Sequence, residues 1–105
     1  MPVTTIDGHE IHVDDEGFMT VYDEWDETLG TALAVAIGVE MNDDCWQAIH
    51  FMRNDFKAQD DVTPTLRRVS TAGGFETKKL FELFPKKPAK KMAYIAGLPK
   101  PKGCV

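Results

Sequence analysis

The two cysteines are the first residues of this 105-residue sequence that could do chemistry. A cysteine thiolate is a strong nucleophile and a good metal ligand. Cys45 and Cys104 lie far apart, neither belongs to a CxxC pair, and their spacing differs from the dense spacing of a secreted disulfide scaffold. Both are therefore expected to be reduced thiols.

Metal chemistry is not expected from this sequence. His9, His12 and His50 do not combine with the two cysteines at the spacing typical of a zinc site. We predict neither a metal nor another cofactor.

The sequence around Cys104 predicts an extended arm. Residues 98–105 carry prolines at alternate positions, Pro99 and Pro101, and cannot continue a helix. At about 3.3 Å per residue, a fully stretched arm after Gly97 spans roughly 26 Å, enough to enter a partner's active site. Cys104 is the candidate catalytic residue, although a tail cysteine can also be incidental. We predict a domain over residues 1–96 and a flexible arm over residues 97–105.

Cys45 lies at the start of a predicted helix, beside Trp46. Burial as a small apolar group is the favoured interpretation. The alternative is a reactive thiol whose pKa is lowered by the helix dipole.

The segments that must position these residues are short. β-favouring residues at 4–6 and 9–13 flank Asp7-Gly8, a dipeptide suited to a hairpin turn. Apolar periodicity and helix-capping residues predict helices at about 24–37, 43–59, 64–73, 75–84 and 88–96. In the first, Trp25 and Ala36 should face inward. The second should be capped by Asn42, with either Met52 or Arg53 on its inward face, and the last should have Met92 and Ile95 facing inward. In the third, Thr63 should cap the helix ahead of Pro64 at its first position. The sequence thus predicts one mainly α domain with a small N-terminal β-hairpin.

Charge is distributed unevenly along the chain. Residues 1–61 carry 15 acidic side chains against Arg53 and Lys57, whereas residues 62–105 carry 10 basic side chains against Glu76 and Glu82. A basic half attracts an acidic protein surface, a nucleic acid or an anionic substrate, although two solvated faces explain the pattern equally well. The basic side chains that could dock partners or the arm are Arg67, Arg68, Lys78, Lys79, Lys86, Lys87, Lys90 and Lys91.

No apolar run approaches the roughly 18 residues that a membrane span requires, and the N-terminus lacks the basic and apolar segments of a signal peptide. We therefore expect a cytoplasmic protein without membrane insertion.

Three blocks of sequence carry a resemblance to a known family. Residues 90–105 read KKMAYIAGLPKPKGCV, residues 14–18 read DDEGF, and residues 80–85 read LFELFP. Together with TPTLR at residues 63–67, they closely resemble the DsrC/TusE family of sulfur-relay proteins. The resemblance implies a helix-turn-helix-like orthogonal bundle with a mobile arm, on which Cys104 accepts persulfide sulfur and passes it onward. The arm residues that would join the docking surface are Gly97, Pro99, Lys100, Pro101 and Gly103.

The resemblance also implies partners. They are an upstream sulfur-donor protein and a downstream acceptor enzyme, either a tRNA thiolase or a sulfite-reductase-type complex. We expect the protein itself to be a monomer. Because an unperturbed cysteine is only a few per cent thiolate at neutral pH, the partner should supply the activation of Cys104.

One position departs from part of the family. DsrC proteins that act with sulfite reductase carry a second arm cysteine where this chain has Ala93, which puts their intramolecular trisulfide chemistry in doubt here. A single arm cysteine is more similar to TusE, which serves tRNA 2-thiolation, or to single-cysteine DsrC-like proteins, which would carry persulfide sulfur in sulfur metabolism without the trisulfide step. Lys102 replaces a threonine common in DsrC and adds positive charge beside the thiol.

A nucleic-acid-binding regulator is the alternative function. The helices around Arg67 and Arg68 would then form a DNA-binding helix-turn-helix. The sequence pI of about 5.1 and the acidic first half argue against direct nucleic-acid binding.

Overall fold

The computed structural model describes residues 3–6 and 8–101, and it confirms the mainly α architecture with an N-terminal hairpin. The hairpin strands are β1 (Val3–Ile6) and β2 (His9–His12). A short 3-10 helix (Tyr22–Glu24) precedes five α-helices: α1 (Glu27–Ala36), α2 (Asp43–Ala58), α3 (Leu66–Gly73), α4 (Thr77–Leu83) and α5 (Pro88–Ile95). None of the helices in this part of the chain is both long and apolar enough to cross a bilayer.

The hairpin forms where its turn residues predict it. β1 and β2 pair antiparallel, with Val3 opposite His12 and Ile6 opposite His9. Gly8 has a φ of 82°, the positive value that the predicted turn requires, whereas Asp7 lies outside the described residues. The Glu24 carboxylate accepts hydrogen bonds from the His12 backbone N–H at 2.8 Å and its ring Nδ1 at 2.7 Å. These bonds, led by the one from the backbone, lower the pKa of Glu24 and fasten the hairpin to the 3-10 helix.

The first helix begins later than predicted. The Asp26 side chain accepts a hydrogen bond from the Leu29 backbone N–H, so α1 starts at Glu27 and Trp25 precedes it. The prediction that Ala36 faces the core was wrong, because Leu33 and Ala34 are the buried residues of the last turns. The indole of Trp25 instead folds back over Gly30, a position where a Cβ would lie 2.9 Å from the ring.

The third helix uses a different cap from the one predicted. The Thr65 hydroxyl accepts the Arg68 backbone N–H at 3.2 Å, and α3 begins at Leu66. Thr63 and Pro64 are buried in the loop ahead of it. The two threonines are two residues apart and both can cap a helix, so local sequence could not separate them.

α2 is the central helix of the core. Asn42 caps it as predicted, and it packs against α3 and α5, while α5 also packs against α1. Both alternatives for its inward face, Met52 and Arg53, are buried. α5 contributes Met92 and Ile95 to the same core, as predicted. The C-terminal end of α5 thereby lies beside α2 and the segment around Trp25, and this places the start of the arm.

Candidate functional site at the root of the arm

The proposed nucleophile, Cys104, and its neighbour Gly103 lie outside the described residues. The described part of the arm ends at Pro101. The site that the structure shows is therefore the arm root, residues 96–101, which sets where the rest of the arm leaves the body.

Gly97 ends α5 and turns the chain. The Leu98 backbone N–H donates to the Ala93 carbonyl at 3.0 Å, and the Gly97 N–H donates to the Tyr94 carbonyl at 3.3 Å. This pair of bonds is the Schellman motif, in which a residue of positive φ closes a helix. Gly97 has a φ of 69°, and Leu98 after it is fully buried.

Arg53 clamps the arm root from α2. Its guanidinium donates to the Ala96 carbonyl at 2.7 Å and to the Tyr22 carbonyl at 3.1 Å. The same group lies between two aromatic rings, 3.8 Å from the centroid of Tyr22 and 4.2 Å from that of Trp25. Burial lowers the pKa of Arg53, but an arginine keeps its charge at neutral pH, so carbonyls and ring faces take the place of a carboxylate partner.

Trp25 covers the same turn from the other side. Its indole Nε1 donates to the Ile95 carbonyl at 2.8 Å. A Cβ added at Gly97 would lie 2.5 Å from Trp25 Cδ1 and 2.9 Å from Met19 Sδ, so only a glycine fits there.

The chain after Gly97 stays on the body through Pro101. The Thr63 hydroxyl donates to the Pro99 carbonyl at 2.8 Å, Pro101 is buried, and Lys100 Nζ lies 3.1 Å from Glu16 Oε1. The structure thus places residues 97–101 against the domain, whereas the sequence interpretation began the arm at residue 97. The prolines exclude a helix, but they do not predict whether the segment packs against the domain, as it does here through Leu98.

Replacing Thr63 with valine tests this anchor. The variant loses the only side-chain hydrogen bond to Pro99 among the described residues, and we expect a loss of about 1 kcal/mol of folding free energy, or a fall in Tm of roughly 4–8 °C. The heteronuclear NOE of the Lys100 amide should fall as well. Thr63→Ser keeps the hydroxyl, so the NOE of Lys100 should stay at the parent value, although the loss of a buried methyl group also lowers the Tm. An unchanged NOE in Thr63→Val would show that the other contacts hold the root without the Thr63 hydrogen bond.

Cys45 is structural. Its side chain is fully buried, and burial raises the pKa of its thiol, which lies 3.7 Å from the Glu40 carbonyl. The interpretation of Cys45 as a small apolar group is confirmed, and the idea of a thiol activated by the helix dipole was wrong. Ala93 is also fully buried, and no thiol stands there to pair with the arm.

The predicted basic docking residues differ in their surroundings, and their docking role stays a prediction. Arg68 makes an ion pair with Asp55, with an NH2 to Oδ1 distance of 2.8 Å, and this contact raises the pKa of Arg68. Lys79 pairs with Asp44 at 3.4 Å. Arg67 and Lys78 are exposed on α3 and α4, whereas Lys90 and Lys91 are half-buried on α5.

Sequence reasoning missed the residues that build the root. Arg53 is a charged residue at a position where helical spacing predicts burial, and this is the one feature of the sequence that indicates its role. The sequence interpretation considered it only as an alternative to Met52 for the inward face of α2. Nothing in the sequence indicates that Trp25 and Thr63 bind the arm root, because their partners lie 70 and 36 residues away in the sequence. Within residues 3–6 and 8–101, no group of three or more His, Cys, Asp or Glu side chains is arranged to hold a metal.

The comparisons with known proteins agree with this fold. The family model for DsrC like protein matches residues 5–105. Sulfurtransferase TusE of Escherichia coli is 35% identical over 94% of this chain and 96% of its own, and that of Salmonella typhimurium is 36% identical over the same shares. The NMR structure of Allochromatium vinosum DsrC has a TM-score of 0.80 at 31% identity, covering 98% of this chain and 97% of that one.

A second solved structure extends the similarity. The oxidized gamma-subunit of the dissimilatory sulfite reductase (DsrC) from Archaeoglobus fulgidus has a TM-score of 0.71 at 31% identity, and the match covers 99% of this chain and 100% of that chain. Sequence and fold agree over nearly the whole length, so the chain belongs to the DsrC-like protein family.

Proposed function

We propose that this chain is a sulfur carrier that accepts persulfide sulfur on Cys104 and relays it to an acceptor enzyme. The observation that carries the proposal is the family match over residues 5–105, which includes the penultimate cysteine and has relatives named sulfurtransferases. None of the relatives named above is described as a nucleic-acid-binding protein, so the sulfur-relay prediction is the one that the comparisons support.

The proposed chemistry is two thiol exchanges. The Cys104 thiolate attacks the outer sulfur of a persulfide on the donor, a new S–S bond forms at Cys104, and the donor cysteine leaves as a thiolate. The acceptor's nucleophile then attacks the outer sulfur now on Cys104, and the Cys104 thiolate is the leaving group. Electrons balance in each step, so no further oxidant or reductant is required.

Release of the sulfur should depend on a partner. Cys45 is enclosed in the core, and the position of a second arm cysteine is occupied by buried Ala93. Neither residue offers an accessible thiol that could displace sulfur from Cys104 within the chain. We therefore favour a TusE-type relay, with an upstream donor and a thiolase acting on tRNA as acceptor, over the trisulfide route with a sulfite-reductase-type complex. Cytoplasmic partners are part of this proposal.

The arm root supports delivery by a tether. Because residues 97–101 are fixed to the body, docking of the body confines Cys104 to a small volume in the complex. Cys104 is three residues beyond Pro101, so its α-carbon can lie at most about 10 Å from that of Pro101. The second encounter then becomes effectively intramolecular, and a weak docking surface suffices.

Mass spectrometry of the protein isolated from its own cell tests the proposal. We expect the peptide containing Cys104 to carry adducts of about 32 Da per sulfur atom, removed by a reducing thiol. The peptide containing Cys45 is the internal control and should be unmodified. Sulfur found on Cys45 alone would contradict the proposal.

A further inference from the structure

We propose that a groove beside the arm root binds an acidic, amphipathic segment of the protein that exchanges sulfur with Cys104. This inference rests on the proposed function and adds where the partner binds and what chemistry it presents. The groove, called here the lysine groove, encloses about 490 Å³. Its floor is Phe18, Ile37 and Tyr94, and its rim is Lys86, Lys87, Lys90 and Lys91.

The floor is suited to apolar side chains. Phe18 and Tyr94 meet edge to face, with ring centroids 5.9 Å apart, and Ile37 packs partly buried at the same core. Lys90 and Lys91 line the groove and are half-buried, and a lysine of this kind typically lays its aliphatic stem along apolar surface and keeps its ammonium group in water. A ligand for this groove must therefore combine apolar groups with negative charge.

The rim holds positive charge that the described residues do not neutralise. Elsewhere in the described part of the chain Lys57, Lys79 and Lys100 each pair with a carboxylate, at 3.2, 3.4 and 3.1 Å. No ion pair among residues 3–6 and 8–101 involves a lysine of the groove rim. In a chain of net charge −5, this cluster is a local exception.

The cluster also opposes local stability. The first turns of α1 and α2 carry acidic residues, which the positive end of a helix dipole favours, but the first turn of α5 has none and is crowded by the rim lysines. Lys86 adopts a φ of 76° in a tight turn closed by the Lys87 N–H and the Pro85 carbonyl, a conformation rare outside glycine. Local features that cost stability are expected where a surface serves binding.

An acidic protein segment fits the groove better than a nucleic acid does. A phosphate backbone offers no apolar group for the floor, whereas an amphipathic segment offers both apolar and acidic side chains. The 15 acidic side chains of residues 1–61 would in addition repel a long polyanion.

The groove is next to the exit of the arm. Glu16 lines the groove and pairs with Lys100 of the arm root. A partner seated in the groove is therefore next to the arm root, and Cys104 can extend about 10 Å beyond Pro101 to meet it.

The test compares two charge reversals of equal size. Lys90→Glu/Lys91→Glu changes the groove. Arg67→Glu/Lys78→Glu changes two of the other predicted docking residues, which are exposed on α3 and α4 and form no ion pair among the described residues, so the two variants separate the groove from that alternative docking surface. Each protein, with its full arm, is loaded with polysulfide. The probe is the protein recovered from the source cell in mixed disulfide with Cys104, then produced separately. Glutamates in the first turn of α5 favour the helix, so the groove variant should keep its Tm.

We expect the groove variant to load normally but to transfer sulfur to the probe at least about tenfold more slowly at low salt. The control should stay within about twofold of the parent, and raising the salt should slow the parent more than the groove variant. Equal rates of sulfur transfer by the two variants would contradict the proposal that the partner binds in the groove, and would leave the proposed sulfur relay unaffected. If Lys90→Glu/Lys91→Glu abolished binding of bulk tRNA but left sulfur transfer to the probe protein unchanged, the groove would be a nucleic-acid site and the proposal would be wrong. Failure of the parent to load would refute the proposed function itself.

Discussion

The variant Cys104→Ser is expected to lose all measurable sulfur loading, while Cys45→Ala loads like the parent. A serine hydroxyl at position 104 is not a thiolate and cannot form the S–S bond that carries the sulfur. Cys45 cannot substitute for it, because its side chain is fully buried and burial raises the pKa of its thiol. Incubation with polysulfide followed by intact-mass measurement should show about 32 Da per sulfur atom for the parent and Cys45→Ala, and none for Cys104→Ser.

Thermal unfolding provides the control for this pair. Cys45→Ala removes a packed sulfur atom from the core, so we expect it to lose about 1 kcal/mol of stability, or roughly 4–8 °C in Tm. The less stable variant should thus be the active one. If Cys45→Ala lost loading at a temperature where it is folded, the single-thiol mechanism would be wrong.

Gly97→Ala is expected to be the most destabilising single-methyl change at the arm root. The residue has a φ of 69°, a region that costs a non-glycine residue about 1–2 kcal/mol. The added Cβ would also lie 2.5 Å from Trp25 Cδ1, and such overpacking typically costs a further 1–3 kcal/mol. We expect a total loss of about 3 kcal/mol and a fall in Tm of more than about 10 °C. Thermal denaturation followed by circular dichroism measures this.

Gly38→Ala separates the two causes. Gly38 has a φ of 76°, close to that of Gly97, but a Cβ there meets no atom within 4 Å. It should lose only about 1–2 kcal/mol, the cost of the positive φ alone. Equal losses in the two variants would show that Trp25 moves aside easily and that the arm root is less tightly enclosed than the structure indicates.

Local sequence was sufficient for the elements that are determined locally. The glycine turn of the hairpin, the Asn42 cap of α2 and the inward face of α5 follow from neighbouring residues and were predicted correctly. The start of α1 and the cap of α3 were not. At α3, two threonines within one turn could each cap the helix. The choice between them depended on tertiary contacts, such as those of Trp25 and Thr63 with the arm root.

The site was predictable only in part for the same reason. Proline spacing indicated a non-helical C-terminus, and the resemblance indicated Cys104, but neither could show that Arg53 fastens the arm root to α2. The basic residues were also predicted as one set. In the structure Arg68 and Lys79 are engaged by Asp55 and Asp44, and such ion pairs between separate helices leave no pattern in the sequence.

The anchoring of the arm root has a consequence for biosynthesis. The contacts that hold it join residues far apart in sequence, 43 apart for Arg53 and Ala96, 70 for Trp25 and Ile95, and 84 for Glu16 and Lys100. Such non-local contacts form late in folding, and here one member of each pair is translated after the hairpin and the helices α1 to α4. The hairpin and α2 can therefore fold on the nascent chain before the arm is in place, and the arm acquires its position only on a completed domain.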